Sequence, residues 1–394
     1  MVSNLNIKKD KTSIGTALAI TCFITNLSQL PTIVALGLSG ALSVIIWGVF
    51  IFFCFVTYRE WKLKSNIIFY AISSFIFLFY VLIMDVLSGN SYLKSSLIYP
   101  FFLSMVMLFL ASNIGEKITQ QDFSIISSAY IWSTLIVALN IFFEYLIGVD
   151  ISGEKYAYAS KNSISQIILT ACILIFAFKV KKENKIITFL YILSSIALFF
   201  ILLLLKSRAT IIAIPLLIIF IFIKLGKSVK TLRLIIIISV IVVALIFVFN
   251  PQIWDIFVND IILAGRGAGD LNDISSGRFN EWEVFGQELA ESWLFGQGKA
   301  KRESIILTAL LEFGVIIGSL LLIIGISPLI VACRNGGLKS KLGLIVFCIA
   351  LSYCFNGIFE QLAPFGPGVK CYFLWIMLGI LLSKEANMKN KKNR

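Results

Sequence analysis

Apolar residues run along this chain in long blocks, separated by short clusters of Lys, Asn, Ser and Gly. A helix needs about 20 mostly apolar residues to cross a hydrocarbon core of about 30 Å. The blocks near 13–30, 34–57, 66–84, 96–112, 122–148 and 162–179 meet that need, and so do those near 186–205, 209–224, 234–250, 304–330, 342–359 and 370–383. The first two share an uncharged run, which Pro31 and the Gly37/Gly40 region divide. The pattern predicts an all-α polytopic integral membrane protein with about twelve transmembrane helices (11–13). Residues 1–250 hold spans one to nine. Residues 251–303 form the one long hydrophilic loop, and 304–394 hold the last three spans and a basic tail.

Composition agrees with this. Of 394 residues, 14% are charged and 59% hydrophobic. Soluble domains carry about 25% charged residues, so two soluble cores, which the length alone would suggest, are excluded. Lys8, Lys9 and Lys11 precede the first block without a small-residue cleavage site, so that block is expected to be a retained span.

Charge sets the expected orientation through the positive-inside rule. With the N-terminus cytoplasmic, the inside segments collect 23 of the 34 Lys and Arg but six of the 21 acidic residues. Both termini are then cytoplasmic and residues 251–303 face outward. The basic balance is a topology signal, and no basic-aromatic patch points to nucleic acid. Within the long loop, Trp282, Phe285, Leu289 and Trp293 repeat at helical spacing opposite Glu281, Glu288 and Glu291. This predicts an amphipathic helix in the membrane interface from Asn280, with Asn280 as its cap and Glu283 at the capping-box position.

The chain has no histidine, which removes imidazole metal sites, Ser-His and Cys-His nucleophiles and a histidine base. Its seven cysteines lie in or beside apolar runs and form no CxxC pair, as buried hydrophobes would. No metal or cofactor is expected. Catalysis would fall to carboxylates, Arg, Lys, Tyr or a thiol.

Charges inside apolar runs are costly, about 2.5–3.5 kcal/mol at a helix centre. Lys206-Ser207-Arg208 is squeezed between two spans with almost no loop, facing outward against the charge bias. Glu312 lies within the tenth span and Glu144 near the outer end of the fifth; each is either a buried hydrogen-bonding acid or part of a site. Arg208 and Arg278 both fall on the outer side. Arginine grips phosphate oxygens in a bidentate way and stays charged, so lipid-linked phosphates or pyrophosphates are suitable ligands. Glu281, Glu303, Asp270 and Asp273 are acids within the same stretch.

Five stretches carry a resemblance. Ser276-Gly-Arg278-Phe-Asn-Glu281-Trp282 leads to Trp293-Leu-Phe-Gly-Gln-Gly298. Glu303-Ser304 then begins a run that ends Leu311-Glu312-Phe-Gly314-Val-Ile-Ile-Gly318. Upstream stand Leu205-Lys206-Ser207-Arg208-Ala-Thr210 and Tyr158-Ala-Ser-Lys-Asn162-Ser-Ile-Ser165. In this order the stretches resemble the core of the O-antigen ligase and O-antigen polymerase (Wzy) superfamily over about residues 155–320.

The resemblance implies a glycosyltransferase that needs no cofactor. Its partners would be undecaprenyl-pyrophosphate-linked glycan donor and acceptor, the lipid bilayer and a chain-length regulator protein. The site would face the outside of a bacterial plasma (inner) membrane. A hydroxyl of the acceptor attacks the anomeric carbon and lipid pyrophosphate leaves. Arg208 and Arg278 take the phosphate role; Lys206, Asn162, Glu281 and Trp282 are carried over as substrate contacts. Where ligases of the family have His-Asn, this chain has Glu303-Ser304. Glu303 is then the candidate base, and the missing histidine favours a polymerase of O-antigen or capsule over a ligase. Glu303 as a solvated acid at a helix N-terminus is the plain alternative. A lipid-linked oligosaccharide flippase is the rival class, although no internal repeat of the kind found in many transporters is evident.

Overall fold

A computed structural model describes residues 2–211 except 90–91, 152, 154, 159–160, 180–184 and 208, then 213–215 and 217, and residues 278–392 except 299, 301, 335–337, 339 and 367–368. The expected span near 234–250 and the loop stretch 251–277 lie outside the described residues, as does most of the span near 209–224.

Among the described residues all regular structure is helical. The helices are α1 (Val2–Leu27), α2 (Pro31–Ala35), α3 (Ser39–Thr57), α4 (Ile68–Ser88), α5 (Ile98–Ile114) and α6 (Gln120–Leu146). Next come α7 (Lys161–Leu174, continued by a π turn to Lys179) and α8 (Lys185–Leu204). The later ones are α9 (Arg278–Ser292), α10 (Ile305–Cys333), α11 (Lys341–Gly357) and α12 (Val369–Lys392). Five of these helical segments, Ser39–Thr57, Ser65–Ser88, Gln120–Leu146, Ile186–Leu204 and Ile305–Cys333, are long and apolar enough to cross a membrane. Five more expected spans also fold as apolar helices, with shorter apolar stretches: Ile14–Leu27, Ile98–Ile114, Lys161–Ala177, Lys341–Gly357 and Cys371–Lys384. This architecture fits a multi-pass membrane protein.

Burial sorts the helices. Phe52, Phe75 and Phe189 on α3, α4 and α8 are exposed, whereas Phe373, Trp375 and Leu378 on α12 are fully covered. Large apolar side chains left on the outside suit helices that face lipid; α5, α7, α11 and α12 are buried along most of their length. The α5–α12 pair approaches closely because both faces are small. A Cβ on Gly379 would lie 2.7 Å from the Ala111 Cβ, and one on Gly115 would lie 2.8 Å from the Ser383 Cβ. Ala111-x3-Gly115 thus meets Gly379-x3-Ser383, the small-residue pairing that lets membrane helices touch. Elsewhere polar side chains join helices: Asn26 of α1 donates through Nδ2 to the Tyr130 carbonyl, Ser133 Oγ and Thr134 Oγ1 of α6.

Interior breaks are compensated locally. Pro328 inside α10 has no N–H for the Ile324 carbonyl. The neighbouring Ser327 hydroxyl donates to that carbonyl instead, at 2.6 Å.

The contacts also gather the connecting segments at two ends. At one end Lys64 Nζ reaches the Ser112 carbonyl, Glu116 and Ser383, and Asn66 Nδ2 reaches the Leu382 carbonyl. At the other end the segments near 92–97, 293–305 and 358–366 meet: Tyr92 bonds the Gly296 carbonyl and Gln361 bonds Ser96. Residues 64–66, 112–116 and 382–383 thus share one end of the bundle, and the 92–97, 293–305 and 358–366 segments share the other.

Candidate functional site

The site is assembled around a break in α10. Gly314 has φ 74° and ψ 173° inside the helix, a conformation open to glycine and strained for other residues. The helix therefore does not run as the single straight span expected over 304–330. It folds back on itself: a Cβ on Gly318 would lie 2.4 Å from the Ala309 carbonyl oxygen, nine positions earlier.

A broken helix exposes backbone groups that cannot be left unpaired in an apolar setting. Here the Leu294–Gly298 turn supplies the partners. Gln297 N–H donates to the Leu311 carbonyl at 2.7 Å, Gly298 N–H to the Glu312 carbonyl at 3.0 Å, and Val315 N–H to the Trp293 carbonyl at 2.8 Å. The approach leaves no room for side chains. A Cβ on Gly296 would sit 2.4 Å from the Glu312 carbonyl oxygen, and one on Gly314 would sit 2.2 Å from that of Leu294. Tyr80 and Tyr92 clamp the turn from outside by donating to the Phe295 carbonyl.

Glu312 stands beside this junction, 2% exposed. Its carboxylate accepts from Ser95 Oγ and, at 3.3 Å, from the Ala300 N–H. It is a buried hydrogen-bonding acid that ties the 92–97 segment to the chain after the turn.

The amphipathic helix forms as α9, and it already includes Arg278, two residues before the expected start. Asn280 therefore lies inside the helix and is not its cap. Two acids of α9 face the protein, whereas Glu291 is exposed. Glu281 accepts the Glu303 N–H at 3.1 Å, and Glu288 pairs with Arg302, with Nη2 to Oε2 at 2.5 Å. Trp282 and Trp293 point away, 40% and 56% exposed, as an interfacial helix would present them.

Glu303 is exposed and precedes Ser304, which is the N-cap of α10. Ser304 Oγ is buried without a hydrogen-bond partner among the described atoms. A Cβ on Gly357, at the end of α11, would lie 3.0 Å from Ile305 Cγ2. The Glu303–Ile305 corner therefore abuts the start of the 358–366 segment.

That segment leads to the motif around Lys206. Asn162 Nδ2 donates to Glu360 Oε1 at 2.7 Å, and Ser207 Oγ donates to Asn162 Oδ1 at 2.7 Å. Ser207 Oγ also lies 3.0 Å from Thr210 Oγ1. Lys206 takes a φ of 52°, in the left-handed region. This turns the chain sharply after α8, and the Ile211 N–H already bonds the Ser207 carbonyl. Asn162, Ser207, Thr210 and Glu360 thus form one network that joins α7, the Lys206 turn and the segment after α11.

Of the residues expected from sequence, Asn162 and the Lys206-Ser207 turn come together, and Glu281 meets the Glu303 backbone. Arg208 lies outside the described residues; Arg278 opens α9, and its side chain is likewise outside the described set. Sequence reasoning missed Glu360, although an acid in the short polar interval between α11 and α12 was a signal available to it.

A comparison with curated proteins gives no match. Residues 193–314, which carry the Lys206 motif, the glycine turn and the break in α10, match the family model described as O-antigen ligase, and this match supports a place for the chain in the O-antigen ligase and polymerase superfamily.

Proposed function

We propose that this chain is a membrane glycosyltransferase of the polymerase type. It joins undecaprenyl-pyrophosphate-linked oligosaccharide repeats into a surface polysaccharide, O-antigen or capsule, on the outer face of the bacterial plasma membrane. The observation that carries the reading is the convergence of the Asn162–Ser207–Glu360 network, the Glu303–Ile305 corner and the glycine turn at one end of the helices. Twelve spans with both termini cytoplasmic put that end outside.

In this reading the donor pyrophosphate sits against Arg208, Arg278 and Lys206. Pyrophosphate leaves readily, so stabilising its developing charge matters more than a strong acid. The acceptor hydroxyl oxygen attacks the anomeric carbon, the bond to the pyrophosphate oxygen breaks, and the hydroxyl proton passes to the Glu303 carboxylate. Asn162 positions the Lys206 turn. Glu281 holds the Glu303 backbone, and Trp282 meets lipid or glycan at the interface. A chain-length regulator is the expected protein partner.

The ligase reading has one observation in its favour, the description of the matched family model. A deletion strain separates the readings. Loss of a polymerase leaves single repeats on the surface. Loss of a ligase leaves full-length polymer on its lipid carrier, and loss of a flippase traps repeats inside; either result would overturn the proposal.

A further inference from the structure

A cavity lies at the outer end of the same bundle, apart from the residues above. It is about 750 Å³ in volume and is lined by Thr32 of α2, Glu144 of α6, and Asp150, Lys155 and Tyr156 of the segment that leads into α7. Small-molecule sites occupy about 300–1,000 Å³. The wall is braced, because the Tyr158 hydroxyl donates to the Gln29 carbonyl and its ring packs edge-on against Tyr156 at 5.3 Å.

The chemistry of this wall differs from that of the arginine side. Glu144 and Asp150 place two carboxylates on one cavity, which repels phosphate and pyrophosphate. Carboxylates accept readily from the hydroxyls of a sugar, and Lys155 offers a complementary donor. The Tyr156 hydroxyl is buried in this wall beside the Glu144 carboxylate. Burial and the nearby Glu144 carboxylate push its phenol up, so it keeps its proton and can donate to a ligand at neutral pH. Six residues further on, Asn162 enters the network with Ser207 and Glu360, so ligand in this cavity is close along the chain to the proposed reaction centre.

We propose that this cavity is a saccharide subsite that holds the hydroxyl-rich part of the glycan and excludes its pyrophosphate. The inference rests on the glycosyl-transfer reading and adds a place for the sugar.

The test uses the full chain in lipid nanodiscs. The probe is the oligosaccharide repeat released by mild acid from the host's own surface polysaccharide, and binding is read by saturation-transfer NMR. Glu144→Gln and Tyr156→Phe should each weaken binding at least tenfold, and inorganic pyrophosphate should not displace the probe. In cells, the same variants should shorten the polymer ladder. Tyr156→Phe keeps the ring, so it remains informative if Glu144→Gln fails to fold. Unchanged affinity in the folded variants, or displacement by pyrophosphate, would overturn the subsite while leaving a normal wild-type ladder to support glycosyl transfer. Repeats trapped inside a deletion strain would instead sink the functional reading.

Discussion

The Gly298 N–H donates to the Glu312 carbonyl across 3.0 Å, joining the glycine turn to the broken segment of α10. Glycine at 296 and 314 is what allows this approach, since a Cβ at either would lie within 2.4 Å of a carbonyl oxygen. Gly296→Ala and Gly314→Ala should therefore abolish polymer and lower the melting temperature in detergent. Gly286 on α9 meets nothing within 4 Å, so Gly286→Ala should be neutral or stabilising by about 0.5–1 kcal/mol. Equal behaviour of the three variants in thermal melts would count against the docking.

The Asn162–Glu360 contact predicts a charge-dependent defect. Asn162→Asp sets two carboxylates together and should cut polymer yield severely. Glu360→Gln in the same chain restores a donor–acceptor pair and should recover part of the yield. Gel ladders from the two single variants and the double variant decide this; a double variant no better than Asn162→Asp would contradict the network.

Arg302 and Glu288 hold α9 to the start of α10, and both side chains are partly exposed, 28% and 27%. A double-mutant cycle on melting temperature should give a coupling of about 1 kcal/mol, diminished by added salt. Coupling insensitive to salt would point to packing in place of charge.

Arg208→Ala and Arg278→Ala should each abolish polymer while membrane levels stay normal. Glu303→Gln should lower turnover more than donor binding. Normal ladders from either arginine variant would refute the phosphate role, and full activity in Glu303→Gln would leave that acid outside the chemistry.

Orientation can be read by labelling. A membrane-impermeant maleimide applied to intact cells should label Gly286→Cys. It should leave Cys333 unlabelled, although that thiol is exposed in the structure, because it lies at the opposite end of α10. Labelling of Cys333 first would reverse the topology.

Much of the helical architecture was legible because burial in lipid or in a helical interior demands long apolar blocks, and those blocks are unbroken in the sequence. The same property hid the break in α10. Leu, Ile and Val continue on both sides of Gly314, and a lone glycine in an apolar run does not show whether the helix bends. The start of α9 was misplaced because Asn280 is a good capping residue, yet the helix extends back through Phe279 to Arg278. Asn162 and the Lys206 turn were visible as motifs, whereas Glu360 depended on a contact across 198 positions. No local pattern encodes such a contact.

The break in α10 also settles a problem of thickness. As one straight helix, its 29 residues would extend about 44 Å, well beyond a hydrocarbon core of about 30 Å. Bent at Gly314, residues 315–333 reach about 28 Å, which matches that core, and the nine residues before the bend fold back against them. Straightening this helix would do more than disturb one turn: it would push Thr308 and Glu312 out of register with the bilayer and thicken or tilt everything packed against them.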